Sequence, residues 1–403
     1  MELLHWVNTV IKENPEMFNV LTLNKIAACG TDLLDKSKYT VGEEIANPDA
    51  ILVRSASMHE MELPGNLLAI ARAGAGVNNI PIDKCSEKGV VVFNTPGANA
   101  NAVKELVIAG LLLSSRKIPA SMEWIKTLKG KGDEVGKLVE KGKSQFVGPE
   151  IMGKKLGVIG LGAIGILVAN AAAELGMDVY GADPFLSVEN ALKLSGKVHY
   201  VKSNKEIFEK CDYITLHVPA LPDTKGMINE EAIASMKKTV RLLNFSRDSL
   251  VDEKAIINAL ANGGMACYVT DFATDALIGV DGVIALPHLG ASTPESEDNC
   301  AVMAVKEIVD YIENGNIKNS VNLPNVEMSI TGNAKICVIH KNSEGLLNNI
   351  TAPVSAAGMN IENMVSKSKK DYAYTCLDVK GDVSGIEASL KAVAGVVAVR
   401  VIK

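Results

Sequence analysis

The sequence predicts an α/β protein in which a doubly wound parallel sheet is accompanied by two smaller units. Short apolar runs of strand length alternate with helical stretches over most of residues 1–325. A glycine-rich turn lies between a strand and a helix near residue 160, and a separate βαββαβ pattern begins at residue 332. These observations predict a Rossmann-type domain, a flavodoxin-like discontinuous domain and a C-terminal ferredoxin-like domain.

Composition narrows the class of protein. The chain has 403 residues, 47% of them apolar and 22% charged, which is typical of a globular protein of two or three domains. A formal net charge of −6 argues against nucleic acid or an anionic membrane as a partner. We expect a cytoplasmic protein, since the seven cysteines are scattered and no signal peptide or membrane span is visible. The dispersed histidines predict no metal site.

The first domain is expected to comprise residues 1–97 and 291–325. Short strands are predicted in it at 26–27, 50–53, 68–71 and 90–93. Residues 101–118, which belong to the next predicted domain, predict a helix that is buried because it is apolar on nearly every face. Residues 292–313 predict a second long helix. Ser292 and Glu295 suit a capping box, Pro294 suits the first turn, and Gly315 can end the helix.

Residues 98–290 predict the dinucleotide-binding domain. Lys155–Gly160 has the pattern of a buried strand, and Ile166–Leu175 that of the helix after the turn. The turn between them is Gly160-Leu161-Gly162-Ala163-Ile164-Gly165. Gly160 permits a tight turn, Gly162 lets a pyrophosphate approach the backbone, and Gly165 lets the helix pack on the strand.

An acidic residue completes this motif. The next strand, Asp178–Ala182, ends at Asp183, which lies 18 residues after Gly165. A carboxylate at this spacing binds the ribose hydroxyls of a dinucleotide. Because it would repel a 2′-phosphate, Asp183 predicts NAD rather than NADP as the cofactor.

Polar residues follow the later strands of this domain, at the sheet edge where open parallel sheets bind ligands. Oxidising an alcohol by hydride transfer requires a base, a cation that holds the substrate and a group that orients the base. His288 suits the base, and Arg247 can bind a carboxylate in bidentate fashion. Asp271 or Asp275 could orient His288.

Several stretches together resemble the D-isomer-specific 2-hydroxyacid dehydrogenase family with a C-terminal ACT domain. They are Val53–Ser55, Arg72–Asn79, Asn94–Gly97, Gly160–Gly165, Asn244–Arg247, Leu250–Glu253 and Pro287–Thr293. The resemblance implies that His288 is the acid–base and that Arg247 binds the substrate and polarises its carbonyl.

Further residues receive roles from the same resemblance. The Gly74–Asn78 loop, through Ala75, Gly76 and Asn78, would donate N–H groups to the substrate carboxylate. The phosphate end would be held by Arg54 and Ser55, with Arg72 a further candidate. The nicotinamide side of the cofactor site would be lined by Pro219, Asn244, Phe245 and Asp271.

Two positions depart from the family pattern. Where the family usually has Glu as the partner of the histidine, the run from Asp271 is one residue shorter and carries Asp275, which we take as the partner. The family's Arg-Gly is Arg247-Asp248 here, so a carboxylate stands beside the substrate-binding cation.

Residues 330–403 resemble an ACT domain. His340, Asn342 and Asn360 match the residues that contact serine across an ACT–ACT interface in serine-inhibited relatives. A domain that only dimerises is the alternative.

The resemblance as a whole implies NAD-dependent oxidation of 3-phosphoglycerate to 3-phosphohydroxypyruvate, the first step of L-serine biosynthesis, by a homodimer or homotetramer. Another D-2-hydroxyacid dehydrogenase and an NAD-sensing protein without turnover are the alternatives.

Overall fold

The computed structural model describes residues 17–403, and they form two compact units. Unit 1 comprises the residues up to Ala98 together with Glu297–Lys403, and unit 2 comprises Asn99–Ser296. The first sixteen residues of the predicted first domain lie outside the described residues. The three-domain division stays a prediction, since unit 1 holds both the first and the C-terminal predicted domains.

Unit 1 contains a parallel sheet of five short strands, which are β1 (Phe18–Leu23), β2 (Tyr39–Gly42), β3 (Ala50–Val53), β4 (Ala69–Arg72) and β5 (Val91–Asn94). Their order is β2-β1-β3-β4-β5, the flavodoxin-like order that was predicted. Helices α1 (Ala28–Thr31) and α2 (Ile82–Glu87) belong to the same unit. The strand predicted at residues 26–27 is wrong, because the first buried strand comes earlier, at β1, and residues 26–27 lead into α1.

Unit 2 is built on a parallel sheet of seven strands, which are β6 (Lys155–Ile159), β7 (Asp178–Ala182), β8 (His199–Tyr200), β9 (Tyr213–Leu216), β10 (Arg241–Asn244), β11 (Cys267–Thr270) and β12 (Val283–Ala285). The order β12-β11-β10-β9-β6-β7-β8 is that of a doubly wound Rossmann sheet with one added strand.

Eight helices accompany this sheet, namely α3 (Ala100–Arg116), α4 (Ile118–Lys126), α5 (Val135–Gly142), α6 (Ala163–Glu174), α7 (Val188–Lys193), α8 (Asn204–Lys210), α9 (Glu230–Ala234) and α10 (Glu253–Ala261). Short 3-10 turns occupy Gly132–Glu134, Lys143–Phe146 and Asp248–Leu250. Helix α3 contributes Val103, Val107 and Leu111 to the core beside β6 and α6. The expected burial of this helix is met only in part, since eight of its residues are buried but Leu112 is 42% exposed.

Helix α11 (Pro294–Asn314) has an N-terminus different from the predicted one. The hydroxyl Oγ1 of Thr293 accepts a hydrogen bond from the Ser296 N–H at 3.1 Å. The capping box predicted at Ser292 and Glu295 is therefore wrong by one residue. Pro294 occupies the first helical position, where its missing N–H costs nothing, and this fixes Thr293 as the cap.

The C-terminal segment (residues 334–402) has the predicted βαββαβ order. Its elements are β13 (Ala334–Lys341), α12 (Leu346–Ala356), β14 (Asn360–Lys369), β15 (Tyr372–Lys380), α13 (Ile386–Lys391) and β16 (Val396–Ile402). The antiparallel sheet has the order β14-β15-β13-β16. One face packs on α12 and α13, and the other places Cys337, Ile339 and Tyr374 in one core with Phe93 and Tyr311.

The sheet of the C-terminal segment also holds the end of α11. Lys335, Tyr374 and Arg400 donate hydrogen bonds to backbone carbonyls at the C-terminal end of this helix. The acceptors are the carbonyl oxygens of Tyr311, Ile312, Asn314 and Gly315, at 2.7–3.1 Å. The final carbonyls of a helix have no partner within the helix, and cations are favoured at that end of its dipole. The C-terminal segment therefore caps α11.

Candidate active site

The turn after β6 is shaped for a dinucleotide. Gly160 has φ +94°, and a Cβ at Gly160 or at Gly165 would clash with the carbonyl oxygen of His217 or of Gly160, respectively. A Cβ at Gly162 would meet no atom within 4 Å, so the space above this residue is open. Helix α6 begins at Ala163 and directs its N-terminal N–H groups toward this space. The turn therefore has room and donors for a pyrophosphate.

Asp183 lies at the end of β7, where the sequence placed it. Its Oδ2 accepts a hydrogen bond from the Leu161 N–H and its Oδ1 from the Phe185 N–H, both at 2.8 Å. The carboxylate is thus fixed against the glycine turn. Since each carboxylate oxygen has two lone pairs, it can still accept hydrogen bonds from ribose hydroxyls.

The loop after β10 is held in place by hydrogen bonds of Asn244 and Ser246. The buried Asn244 donates through Nδ2 to the Arg247 carbonyl at 2.8 Å and accepts from the Ser246 N–H at 3.2 Å. The Ser246 hydroxyl donates to the Val218 carbonyl at 2.6 Å. These bonds hold the Arg247 backbone while its side chain is exposed at the sheet edge. Asp248 accepts from the Ser249 N–H at 2.7 Å, and no ion pair joins it to Arg247 among residues 17–403.

Asp271, directly after β11, is the acidic group of this edge. It is 2% exposed, its carbonyl accepts the His288 N–H at 2.9 Å, and its Oδ2 accepts the Gly290 N–H at 3.0 Å. Its Oδ1 is buried and has no partner in the described chain. Burial raises the pKa of Asp271, while the charges of His288 and Arg247 act in the opposite direction. The fold therefore brings Asp271, His288 and Arg247 to one edge.

His288 itself is exposed, and its ring packs on Phe272 with centroids 5.0 Å apart. Asp275, which the sequence favoured as its partner, is also exposed and has no hydrogen bond or ion pair within the described part of the chain. The contacts therefore point to Asp271 rather than Asp275 as the acid that fixes the His288 loop. The one-residue-shorter run after Asp271 leaves Asp275 outside this network.

The other predicted nicotinamide-side residues differ in accessibility. Pro219 is exposed, and its carbonyl accepts the Thr224 hydroxyl at 2.6 Å. Phe245 is 6% exposed and belongs to the core, where it lies against Gly110 of α3. The Phe245 side chain therefore packs in the core of unit 2.

Sequence reasoning did not single out His217, directly after β9, as a polar residue of the edge where the strands of unit 2 end. Its Nε2 lies 2.9 Å from the Thr215 hydroxyl, and its buried Nδ1 has no partner among the residues described. Burial lowers the pKa of His217 to about 3, so the ring is neutral. The available signal was its position directly before Val218-Pro219 at a strand end.

In unit 1, the ends of β3 and β4 carry two arginines. Arg72 Nε donates to the Arg54 carbonyl at 3.1 Å, and Asn24 Oδ1 accepts the N–H groups of Ser55 and Ala56 at 3.1 and 2.6 Å. Ser55 is exposed and Arg54 is half-buried. The backbone of this loop is therefore fixed, and the guanidinium of Arg54 extends from it.

The adjoining loop after β4 offers backbone donors. The carbonyls of Gly74, Ala75 and Asn78 accept hydrogen bonds from Thr95, Asn94 and His59, respectively, at 2.6–3.1 Å. In contrast, the N–H groups of residues 75–78 have no acceptor in the described chain. A row of unpaired N–H groups on a fixed loop is suited to bind a carboxylate.

The candidate effector residues of the C-terminal segment do not form one cluster within a single chain. His340 is 4% exposed, and its Nδ1 and Nε2 contact the Lys341 carbonyl and the Thr375 hydroxyl at 2.7 and 2.8 Å. Asn342 bonds to the Lys370 carbonyl at 3.1 Å, near the end of β14, whereas Asn360 begins that ten-residue strand. Both asparagines are exposed.

Comparison with known proteins gives the family. Residues 108–290 match the model described as D-isomer specific 2-hydroxyacid dehydrogenase, NAD binding domain. A D-3-phosphoglycerate dehydrogenase of Haemophilus influenzae is 32% identical over 355 residues, which are 85% of this chain and 83% of that protein. The chain belongs to the D-isomer specific 2-hydroxyacid dehydrogenase family. NAD is accordingly the cofactor of unit 2, as the sequence predicted.

Two further proteins are similar to about three quarters of this chain. A D-3-phosphoglycerate dehydrogenase of Bacillus subtilis is 34% identical over 326 residues, 76% of this chain but only 59% of that protein, so the chain spans little more than half of its length. The crystal structure of NAD⁺-bound 3-phosphoglycerate dehydrogenase from Entamoeba histolytica has a TM-score of 0.60 and 28% identity, covering 76% of this chain and 99% of that one. Within residues 17–403, no helix combines the length and hydropathy needed to cross a bilayer.

Proposed function

We propose that this chain oxidises D-3-phosphoglycerate to 3-phosphohydroxypyruvate with NAD, the first step of L-serine biosynthesis. The observation that carries the proposal is the pairing, on one sheet edge of unit 1, of two arginines with the unpaired N–H groups of residues 75–78. Such an edge suits a substrate with two anionic ends, a carboxylate and a phosphate. The names of the relatives from Haemophilus and Bacillus support the same substrate.

The residues of unit 2 fit NAD. The open turn at Gly162 and the start of α6 would hold the pyrophosphate, and Asp183 the ribose. The orphaned Oδ1 of Asp271 is a buried acceptor suited to the carboxamide N–H of the nicotinamide. When bound, NAD accepts the hydride from C2 of the substrate.

The chain's own residues move the proton and hold the charges. We assign His288 as the base that takes the C2 hydroxyl proton through its imidazole. Arg247 holds the carboxylate and the developing carbonyl oxygen with its fork of donors. Asp271 positions the His288 loop through its bonds to the N–H groups of His288 and Gly290. Arg54, with Ser55 and Arg72, binds the phosphate.

The C-terminal segment is proposed to be an ACT domain that regulates or assembles the enzyme. Because Asn342 and Asn360 lie toward opposite ends of β14 in one chain, a serine site using both requires two copies of the chain. His340 is already bonded within the domain, which favours a structural role for it. Dimerisation without an effector is therefore the second candidate. A homodimer or homotetramer in the cytoplasm accompanies the proposal.

The test is NADH formation from 3-phosphoglycerate, with D-glycerate and D-lactate as competing substrates and with added serine. We expect 3-phosphoglycerate to have the highest kcat/KM. Greater activity on D-glycerate or D-lactate would indicate another D-2-hydroxyacid dehydrogenase. Tight NADH binding without oxidation of any of the three would indicate an NAD-sensing protein.

A further inference from the structure

The first turn of α11 places a carboxylate on the guanidinium assigned to the phosphate. Arg54 Nη2 donates to Glu297 Oε1 at 2.7 Å, and the two side chains are 40% and 42% exposed. Glu297 lies in unit 1, in the helix capped by Thr293. Both partners are anchored at their backbones, Arg54 by the loop bonds to Asn24 and Arg72. The ion pair is therefore a built feature of this edge.

We propose that Glu297 is a specificity-determining residue that competes with the distal anion of the substrate for the Arg54 guanidinium. The inference rests on the proposed function, because it takes the distal group to be a phosphate. The Glu297 carboxylate takes one donor, Nη2, of the guanidinium fork that a phosphate would use. A phosphate must displace or share Glu297, whereas an uncharged distal hydroxyl can leave the pair intact.

The charge at this edge explains the direction of the effect. Arg54 contributes a positive charge to this edge, and Glu297 offsets it. The helix dipole favours an anion near the N-terminus of α11, which is where Glu297 stands. The cost falls on the phosphate alone, both as a lost partner and as repulsion between two anions. Glu297 thus lowers the preference for phosphorylated over unphosphorylated substrates.

The test compares Glu297→Gln with Glu295→Gln in the full chain. Glutamine keeps the size of the side chain and removes its charge. Glu295 lies two residues earlier in the same turn and makes no contact with Arg54, so its substitution controls for the loss of a charge from the helix N-terminus. We expect Glu297→Gln to lower the KM for 3-phosphoglycerate about fivefold, as the loss of an exposed ion pair allows. Its kcat, its KM for NAD and its KM for D-glycerate should be unchanged.

Two further measurements tie the effect to Arg54 and to phosphate. In an Arg54→Met background, Glu297→Gln should lower the KM much less than in the wild type, since the competition for Arg54 is gone and only the repulsion between Glu297 and the phosphate is relieved. Binding of inorganic phosphate to the full chain, measured by calorimetry, should tighten about fivefold in Glu297→Gln and remain unchanged in Glu295→Gln.

The outcomes separate this inference from the proposed function. If the wild type does not oxidise 3-phosphoglycerate but phosphate binding tightens in Glu297→Gln, the function fails and the competition stands. If the wild type does oxidise it and the KM of Glu297→Gln rises or is unchanged, the competition is refuted. A rise would show instead that Glu297 pre-positions Arg54 for the substrate.

Discussion

At the scale of single residues, Asp271 is the residue of unit 2 on which the candidate site depends most. Its carboxylate uses one oxygen to fix the loop that carries His288 and keeps the other buried and unpaired. A buried acceptor without a partner is costly, and a bound ligand, water or ion is one way in which native proteins satisfy such an atom. His288 and Arg247, which we propose as the base and the substrate-binding cation, lie at the same edge and act electrostatically on Asp271.

Substitution of His288 tests the assigned base. We expect His288→Ala to lower kcat by about 10²–10⁴-fold, the usual contribution of a general base, while NAD still binds. Steady-state NADH formation and NADH fluorescence titration measure the two effects. The control is His199→Ala, which removes an exposed histidine of the same unit that pairs with Asp178. Near-normal turnover in His288→Ala would exclude the role.

A pair of isosteric variants decides which acid serves His288. Asp271→Asn should lower kcat/KM by about tenfold or more, because the His288 loop loses its anionic anchor. Asp275→Asn should stay near wild type, since the exposed Asp275 makes no hydrogen bond or ion pair in the described chain. The same assay applied to both variants provides the matched comparison. The reverse ranking would restore Asp275 as the partner.

At the scale of elements, α11 links two parts of unit 1. Its first turn carries Glu297, on the Arg54 guanidinium, and its last turn is held by Lys335, Tyr374 and Arg400 of the C-terminal segment. Lys335 is fully buried, and its ammonium donates to three oxygens at 2.7–2.9 Å. A buried cation with every proton used is stable, but removing it leaves its acceptors unpaired.

Replacement of Lys335 should therefore be costly. We expect Lys335→Met to lower the free energy of unfolding by about 3 kcal/mol, because buried carbonyls lose their donor. Urea denaturation measures the change. Lys391→Met is the control, since Lys391 makes only an exposed pair with Glu387 on α13. Equal stability of the two variants would show that the cap contributes little.

Glu307, also on α11, predicts a pH dependence of stability. It is 8% exposed, its Oε1 accepts from Asn319 at 2.8 Å, and burial raises its pKa from 4.5 to about 8. Between these values the folded chain keeps a proton that the unfolded chain has released. Its contribution to stability therefore falls as pH rises through this window, by about 1.4 kcal/mol for each pKa unit.

Glu307→Gln removes this dependence while keeping the acceptor for Asn319. We expect the variant to match the wild type in urea denaturation near about pH 4.5 and to exceed its stability by a few kcal/mol, on the order of the full pKa shift, near about pH 9. Glu313→Gln, on the same helix, should show no such pH-dependent gain. A wild-type stability that rises across this window relative to Glu307→Gln would contradict the assignment.

At the scale of the whole molecule, one of the hydrophobic clusters of unit 1 is built from distant parts of the chain. The C-terminal segment contributes Ile339 and Tyr374 to the same cluster as Phe93 and Tyr311, and all four are nearly fully buried. Burying these apolar side chains stabilises the five-stranded sheet of unit 1 only while the C-terminal segment is present to cover them. The C-terminal segment is therefore an integral part of unit 1.

Truncation tests this integration. A chain ending at Asn325 should unfold at a lower temperature than the full chain and should aggregate on heating, because Phe93 and Tyr311 lose their cover. Differential scanning calorimetry and light scattering measure the two effects. A truncated chain with an unchanged unfolding temperature would show that the C-terminal segment packs without stabilising unit 1.

The sequence by itself determined the features that are written locally along the chain. The glycine turn, Asp183 at the end of its strand and the βαββαβ order of the C-terminal segment follow from spacing and periodicity, because neighbours in sequence decide strands, turns and helices. The candidate residues His288 and Arg247 came from strand ends, since parallel strands share one functional edge.

Only the tertiary structure decided which distant side chains meet. Arg54 and Glu297 are 243 residues apart, and no local pattern pairs them. The same holds for Lys335 at the end of α11, for the preference for Asp271 over Asp275, and for the burial of His340, which the resemblance had assigned to an effector. Burial and long-range contacts depend on how elements pack, and packing is set by the whole fold rather than by any one stretch of sequence.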